Sequence, residues 1–184
     1  MNEMGQRMVL TIGHSTRTME QLVDLLTRNG VTTVVDIRTI PRSRHNPQFN
    51  KDVLPGKLSL AGISYRHCPG LGGLRHPQRD SPNTGWRNSS FRGFADYMQT
   101  GEFAQHIDRL VAIAQVGQVA IFCAEAVPWR CHRSLIADAL LIRGLRIEHI
   151  IGAGERRPHI MTPWAEVHGT TITYPPSAET DNAH

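Results

Sequence analysis

Cys123 and Glu125 stand at the end of an apolar run, and Cys131-His132-Arg133 follow after a short loop containing Pro128. Two thiols, a carboxylate, an imidazole and two guanidinium groups in one short stretch suggest nucleophilic chemistry. A thiol becomes a strong nucleophile when it ionises, and a nearby cation or helix N-terminus promotes that. Arg133 at a helix start would favour the thiolate of Cys123 or Cys131. His132 would serve as acid or base near neutral pH, and Glu125 as a general base or an orienting carboxylate.

Other clusters extend the chemistry. Gly13-His14-Ser15-Thr16 precedes a helix whose free amides could hold an anion, with His14 beside it as acid or base and Ser15 as a contact. Asp36 reads as the structural partner of Arg38. Arg38, Arg42, Ser43 and Arg44 form a basic segment suited to phosphate or carboxylate, because guanidinium binds both bidentately. Gly72 and Gly73, in Leu71-Gly72-Gly73, allow close backbone approach to a ligand. Two signatures fail. A cysteine phosphatase loop needs arginine six positions after its cysteine, where Cys123 finds Trp129, with Arg130 one place late. The spacing of Cys123 and Cys131 also lacks the close pairs of a zinc finger, although both thiols with His14 or His132 could make a mononuclear metal site.

These residues must be held by regular elements. Residues 8–12 read as a strand stopped by Gly13. Thr18 with Gln21 three residues on forms a capping box, opening a helix that ends at Asn29-Gly30. Residues 31–37 are a β-branched strand apolar on both faces. A helix is expected over 51–61, with Pro55 making its ends uncertain, then a strand over 63–66 and a Gly- and Pro-rich loop over 68–90. Helices over 91–100 and 103–115, a strand over 119–122, a helix over 134–143 and a strand over 146–151 complete the pattern. Alternating strands and helices predict a single doubly wound α/β domain over 8–152, Rossmann-like or flavodoxin-like. Its mostly parallel sheet would have about five strands, with helices on both faces. Residues 1–7 would be an N-terminal extension, 153–176 an extended arm packed on the domain, and 177–184 a disordered tail. In a parallel sheet, the loops carrying the polar clusters emerge on one edge, where such folds bind ligands.

Composition narrows the class. Apolar residues make up 40% and charged residues 20%, ordinary globular usage that argues against disorder. No apolar stretch is long enough to cross a bilayer, and Met1 to Gly5 lack a signal-peptide layout, so a cytoplasmic chain is expected. Twenty basic against sixteen acidic residues give a formal charge of +4, which permits an anionic ligand without demanding one. The three cysteines, an odd number, argue against a disulfide framework.

The succession Thr11-Ile12-Gly13-His14-Ser15, Val35-Asp36-Ile37-Arg38 with Pro41-Arg42-Ser43-Arg44, Leu71-Gly72-Gly73, Cys123-Ala124-Glu125 and Cys131-His132-Arg133 resembles the bacterial family called domain of unknown function 488. The likeness runs from about residue 9 to 175 and implies an α/β fold whose motifs share one pocket; it implies no particular reaction. The expectation is an enzyme acting on an anionic, phosphate-bearing substrate, a nucleotide or nucleic acid, as a cysteine-dependent hydrolase or transferase. Its catalytic residues would be Cys123, Glu125, Cys131, His132 and His14. Ser15, Arg38, Arg42, Ser43, Arg44, Gly72, Gly73 and Arg133 would bind substrate. No cofactor and no membrane partner are expected, and a homo-oligomer is left open. One alternative is a nucleic-acid-binding or repair-type protein whose arginine loop between Leu74 and Arg92 follows a phosphate backbone, with Trp86, Phe91 and Phe94 as stacking faces. The other is a Cys/His metal-binding protein.

Overall fold

The computed structural model describes residues 6–177. The reading of Met1 to Gly5, and that of the tail beyond 177, lie outside these residues. Six strands form the main sheet: β1 (Met8–Gly13), β2 (Thr33–Asp36), β3 (Ser64–His67), β4 (Val119–Cys123), β5 (Arg146–Gly152) and β6 (Glu155–Pro158), in the order β3-β2-β4-β1-β5-β6. The first five run parallel, and β6 pairs antiparallel with β5. The pattern did not foresee β6, which falls in the stretch read as an extended arm. Further on, β7 (Glu166–His168) and β8 (Thr171–Thr173) pair into a separate ribbon.

The helices are α1 (Met19–Arg28), α2 (Leu54–Leu60), α3 (Ser89–Tyr97), α4 (Gly101–Val116) and α5 (Arg133–Leu141). α1 starts where Thr18 accepts from the Gln21 amide while the Gln21 side chain accepts from the Thr18 amide. α2 begins later than expected because Pro55 belongs in a first turn, where its missing N–H costs nothing. Asn88 and Thr100 cap α3 and α4.

Alternation along the strands divides the core in two. Leu10, Ile12, Ala120 and Phe122 pack against Leu22, Leu25 and Leu26 of α1 and Leu54 and Leu58 of α2. Val9, Val119, Ile121 and Cys123 face α3, α4 and α5 on the other side. Helices therefore cover both faces. The strand order is its own: common doubly wound sheets place β1 beside β2, whereas here β4 lies between them. That order puts the β1 and β4 loops side by side, with the β2 loop next to them.

The 68–90 loop is more ordered than its composition suggests. Asp96 accepts from the Gln78 amide at 2.8 Å, Ser81 Oγ at 2.5 Å and Asn83 Nδ2 at 2.7 Å. The buried Asn83 accepts in turn from the Tyr174 amide. Arg75 lies 3.5 Å above the Tyr97 ring, and Arg92 donates twice to the Trp86 carbonyl.

Candidate functional site at the strand ends

Cys123 closes β4 in register with Gly13 of β1. The ladder continues one step beyond the strands, with the His14 and Ser15 amides donating to the carbonyls of Cys123 and Ala124 at 2.9 Å each. This close approach explains Gly13, where a Cβ would sit 1.7 Å from the Glu125 carbonyl oxygen. Ser15 takes φ 47°, the one non-glycine residue with positive φ among the described residues. Such a conformation costs on the order of 1–3 kcal/mol and tends to occur where backbone geometry serves a site.

A cleft of about 770 Å³ opens over these strand ends. His14, Ser15, Arg38, Arg42, Ser43 and Gly73 line it, and so do Cys123, Glu125, Cys131 and His132. The other three site residues stand elsewhere. Arg44 is exposed outside the lining. Gly72 belongs to a turn packed on Thr39, whose hydroxyl a Cβ would meet at 2.1 Å. Arg133 lies wholly buried behind the cleft.

Two arginines assigned to substrate therefore do different work. Arg38 is committed to the buried Asp36 through Nε–Oδ1 at 2.9 Å and Nη2–Oδ2 at 2.7 Å, and Nη2 also donates to the Phe49 carbonyl at 2.8 Å. Removing one partner of such a buried pair costs about 3–5 kcal/mol. Arg133 Nη1 donates to the Cys123 sulfur at 2.7 Å and to the Glu125 carbonyl, while Nη2 reaches the Ala126 carbonyl at 2.8 Å. Its guanidinium both shapes the loop and faces the thiol.

The two sulfurs of Cys123 and Cys131 are 3.2 Å apart, and both are free thiols. Burial by itself would raise the Cys123 pKa. The Cys131 hydrogen bond and the Arg133 charge outweigh it and bring Cys123 down to about 7. Cys131 moves the other way, its proton held by the hydrogen bond to Cys123 and by burial. Of the two thiols, Cys123 is therefore the one that ionises first. His132 donates from Nε2 to the Leu71 carbonyl at 3.0 Å, so Nδ1 keeps a lone pair 3.6 Å from the Cys131 sulfur. Burial holds His132 neutral, its pKa down to about 4. Gly73 makes room for that ring, which a Cβ would approach to 2.6 Å.

His14 is arranged alike. Nδ1 donates to the Ser15 carbonyl at 2.9 Å, and the ring stacks on Phe49 with centroids 4.5 Å apart. Nε2 is enclosed without a hydrogen-bond partner among the described residues, and burial lowers its pKa. Glu125 is exposed, and Oε1 accepts from the Val127 amide at 3.2 Å. Ser43 is occupied by its own loop, its amide donating to Asn50 and its hydroxyl accepting from the Asn46 amide.

Arg130, His45, Asn88 and Phe91 also line the cleft. Sequence reading did not place them there because Arg130 falls out of phosphatase register and Asn88 reads as a helix cap. The third thiol, Cys68, stands apart, 3.9 Å from His106 Nδ1. Of the stacking faces of the nucleic-acid alternative, Phe94 is fully buried, Trp86 stacks on Phe91 and meets Trp164 edge-on, and Phe91 lines the cleft. Among the described residues no three His, Cys, Asp or Glu side chains gather as a metal site.

The family model for the domain of unknown function DUF488 matches residues 18–140. The chain belongs to this family. The DUF488 match covers the Arg38 loop, Gly73 and the whole Cys123–Arg133 segment, while His14 and Ser15 precede it. No curated protein and no solved structure matches the chain.

Proposed function

We propose that this chain is a cytoplasmic, cysteine-dependent hydrolase or transferase acting on an anionic, phosphate-bearing substrate such as a nucleotide. The observation that carries the reading is the Cys123 sulfur on the cleft floor, which receives Arg133 at 2.7 Å and Cys131 at 3.2 Å. These contacts favour a thiolate at neutral pH, the nucleophilic form. Arg42 and Arg130 on the rim, without ion-pair partners among the described residues, supply positive charge for an anionic group.

In the first step Cys123 Sγ bonds to the electrophilic phosphorus or carbonyl carbon and the leaving group departs. Water or a second acceptor then releases the product and restores the thiolate. His14, a cleft-lining imidazole that burial keeps from protonating, is the base assigned to the proton of that attacking molecule. Three free cysteines suit a reducing compartment. Among the described residues no helix is long and apolar enough to cross a membrane.

The test is alkylation of each cysteine by iodoacetamide against pH, read by peptide mass spectrometry. Cys123 should titrate near 7, ahead of Cys131 and Cys68. Titration of Cys123 at or above the free-thiol value of about 8.5 would remove the basis of the proposal.

A further inference from the structure

The two thiols differ from an ordinary nucleophile-and-base arrangement: the group nearest the Cys123 sulfur, after Arg133, is a second sulfur. Their 3.2 Å separation lies about 1.2 Å beyond a disulfide bond. Cys131 directly follows the short 3-10 turn Pro128–Arg130, outside α5, so closing the gap need not move a helix. Cys123 and Cys131 both line the cleft, and His132 Nδ1 stands 3.6 Å from Cys131.

We propose that Cys123 and Cys131 form a reversible dithiol–disulfide couple that reduces small disulfides carrying an anionic group. The proposal rests on the nucleophilic Cys123 of the preceding section and adds a second activity at that site. The Cys123 thiolate attacks one sulfur of R–S–S–R. The S–S bond breaks, one thiolate RS⁻ leaves, and Cys123 is left joined to R through a mixed disulfide. Cys131 then attacks Cys123 Sγ, and the second RS⁻ leaves, taking up the proton that Cys131 gives up. Two electrons have passed to the substrate, and the protein holds a Cys123–Cys131 disulfide that an external thiol reduces. The exposed Arg42 and Arg130 side chains on the rim meet the substrate's anionic group.

Anchoring suits this cycle. Arg133 Nη1 donates to the Cys123 sulfur and to the Glu125 carbonyl, so one cation supports both the attacking thiolate and the loop joining the cysteines. Once the disulfide forms, the sulfur is no longer charged, while the carbonyl contacts continue to hold the loop. Reduction restores the thiolate against an unmoved guanidinium. Cys68 lies outside the cleft lining, 3.9 Å from His106 Nδ1.

The experiment exposes the fully reduced full-length chain to oxidised glutathione near neutral pH, quenches with an alkylating agent and maps each cysteine by mass spectrometry. The expected result is an internal Cys123–Cys131 disulfide, joint loss of alkylation at both positions, and release of both glutathione thiols. In Cys131→Ser the second release is lost and glutathione stays trapped on Cys123. Wild-type chain that keeps glutathione on Cys123 while Cys131 still alkylates would overturn the couple and leave the Cys123 nucleophile standing. Failure of both cysteines to react, with Cys68 alone modified, would overturn the couple and the preceding section together. The wild-type measurement decides the matter even if the variant does not fold.

Discussion

Helix α5 carries two buried polar assemblies that solve the same problem in opposite ways. At its start, Arg133 supports the thiol pair beneath the cleft. One turn further, the fully buried Asp138 accepts from His159 Nε2 at 2.7 Å, from the Thr162 amide and hydroxyl at 3.1 and 2.7 Å, and from the Tyr174 hydroxyl at 2.9 Å. His159 Nδ1 and His149 Nε2 are hydrogen-bonded at 3.0 Å, as are His149 Nδ1 and the Thr11 hydroxyl at 2.6 Å. Both ring nitrogens of each imidazole are engaged. At the cleft, by contrast, His14 Nε2 and Arg133 Nε lack partners among the described residues. Closed networks add rigidity, whereas groups left open can act on something else. The Asp138 network fastens the segment after β6 to the sheet, and the Cys123 group is held but not spent.

The contrast can be broken most severely at Asp138. Asp138→Ala leaves His159, Thr162 and Tyr174 facing a void and should cost roughly 3–4 kcal/mol in urea unfolding. The rate of Cys123 alkylation in the fraction that remains folded should stay unchanged. A large drop in that rate would show that the two assemblies are one functional unit.

The reverse substitution is Arg133→Lys, which keeps a charge but loses the fork that reaches sulfur and carbonyls together. Cys123 should move from about 7 toward the free-thiol value, slowing alkylation at pH 7 by roughly tenfold. Stopped-flow iodoacetamide kinetics read this directly, and an unaltered rate would mean that Arg133 serves the loop alone.

Acid should strain both regions. His149 and His132 are held neutral by burial, with pKa values of about 3 and about 4 against 6.5 in an unfolded chain. Above pH 6.5 neither state binds the extra proton, and this contribution to stability is flat. Below 6.5 the unfolded chain takes up protons that the native state refuses, so stability falls. The slope should approach about 1.4 kcal/mol per pH unit for each histidine until the folded values are reached. Urea midpoints between pH 7 and 4.5 measure it. His149→Gln should remove one histidine's share without touching thiol reactivity.

The smallest effect belongs to the rim. Arg42→Ala should leave stability within about 0.5 kcal/mol of wild type. It should slow the anionic reagent iodoacetate about two- to threefold relative to neutral iodoacetamide, the difference shrinking as salt is added. Equal rates for both reagents would place the anion-binding charge elsewhere, with Arg130 the next residue to change.

Much of this architecture was legible from local rules. The Thr18–Gln21 capping box, the doubly apolar β2 and β4, and the polar clusters at strand ends follow from spacing and residue type. The 68–90 segment was harder, because its anchors are long-range: Asp96 lies on α3 and Tyr174 far beyond it. β6 was missed because Glu155-Arg156-Arg157-Pro158 is exposed throughout. An edge strand with four solvent-facing residues has no alternation to betray it. Arg38 and Arg133 could be seen as cations near the site, but their burial and their partners could not.

The sequence by itself determined which chemical groups exist here and that strand ends would carry them, since hydrophobic periodicity and caps act over a few residues. Only the tertiary structure decided what each group faces. Inserting β4 between β1 and β2 seats Cys123 against Gly13, and the turn at Pro128–Arg130 brings Cys131 within 3.2 Å of it. Charge on sulfur depends on distance and burial, which are properties of the folded neighbourhood rather than of any stretch of chain.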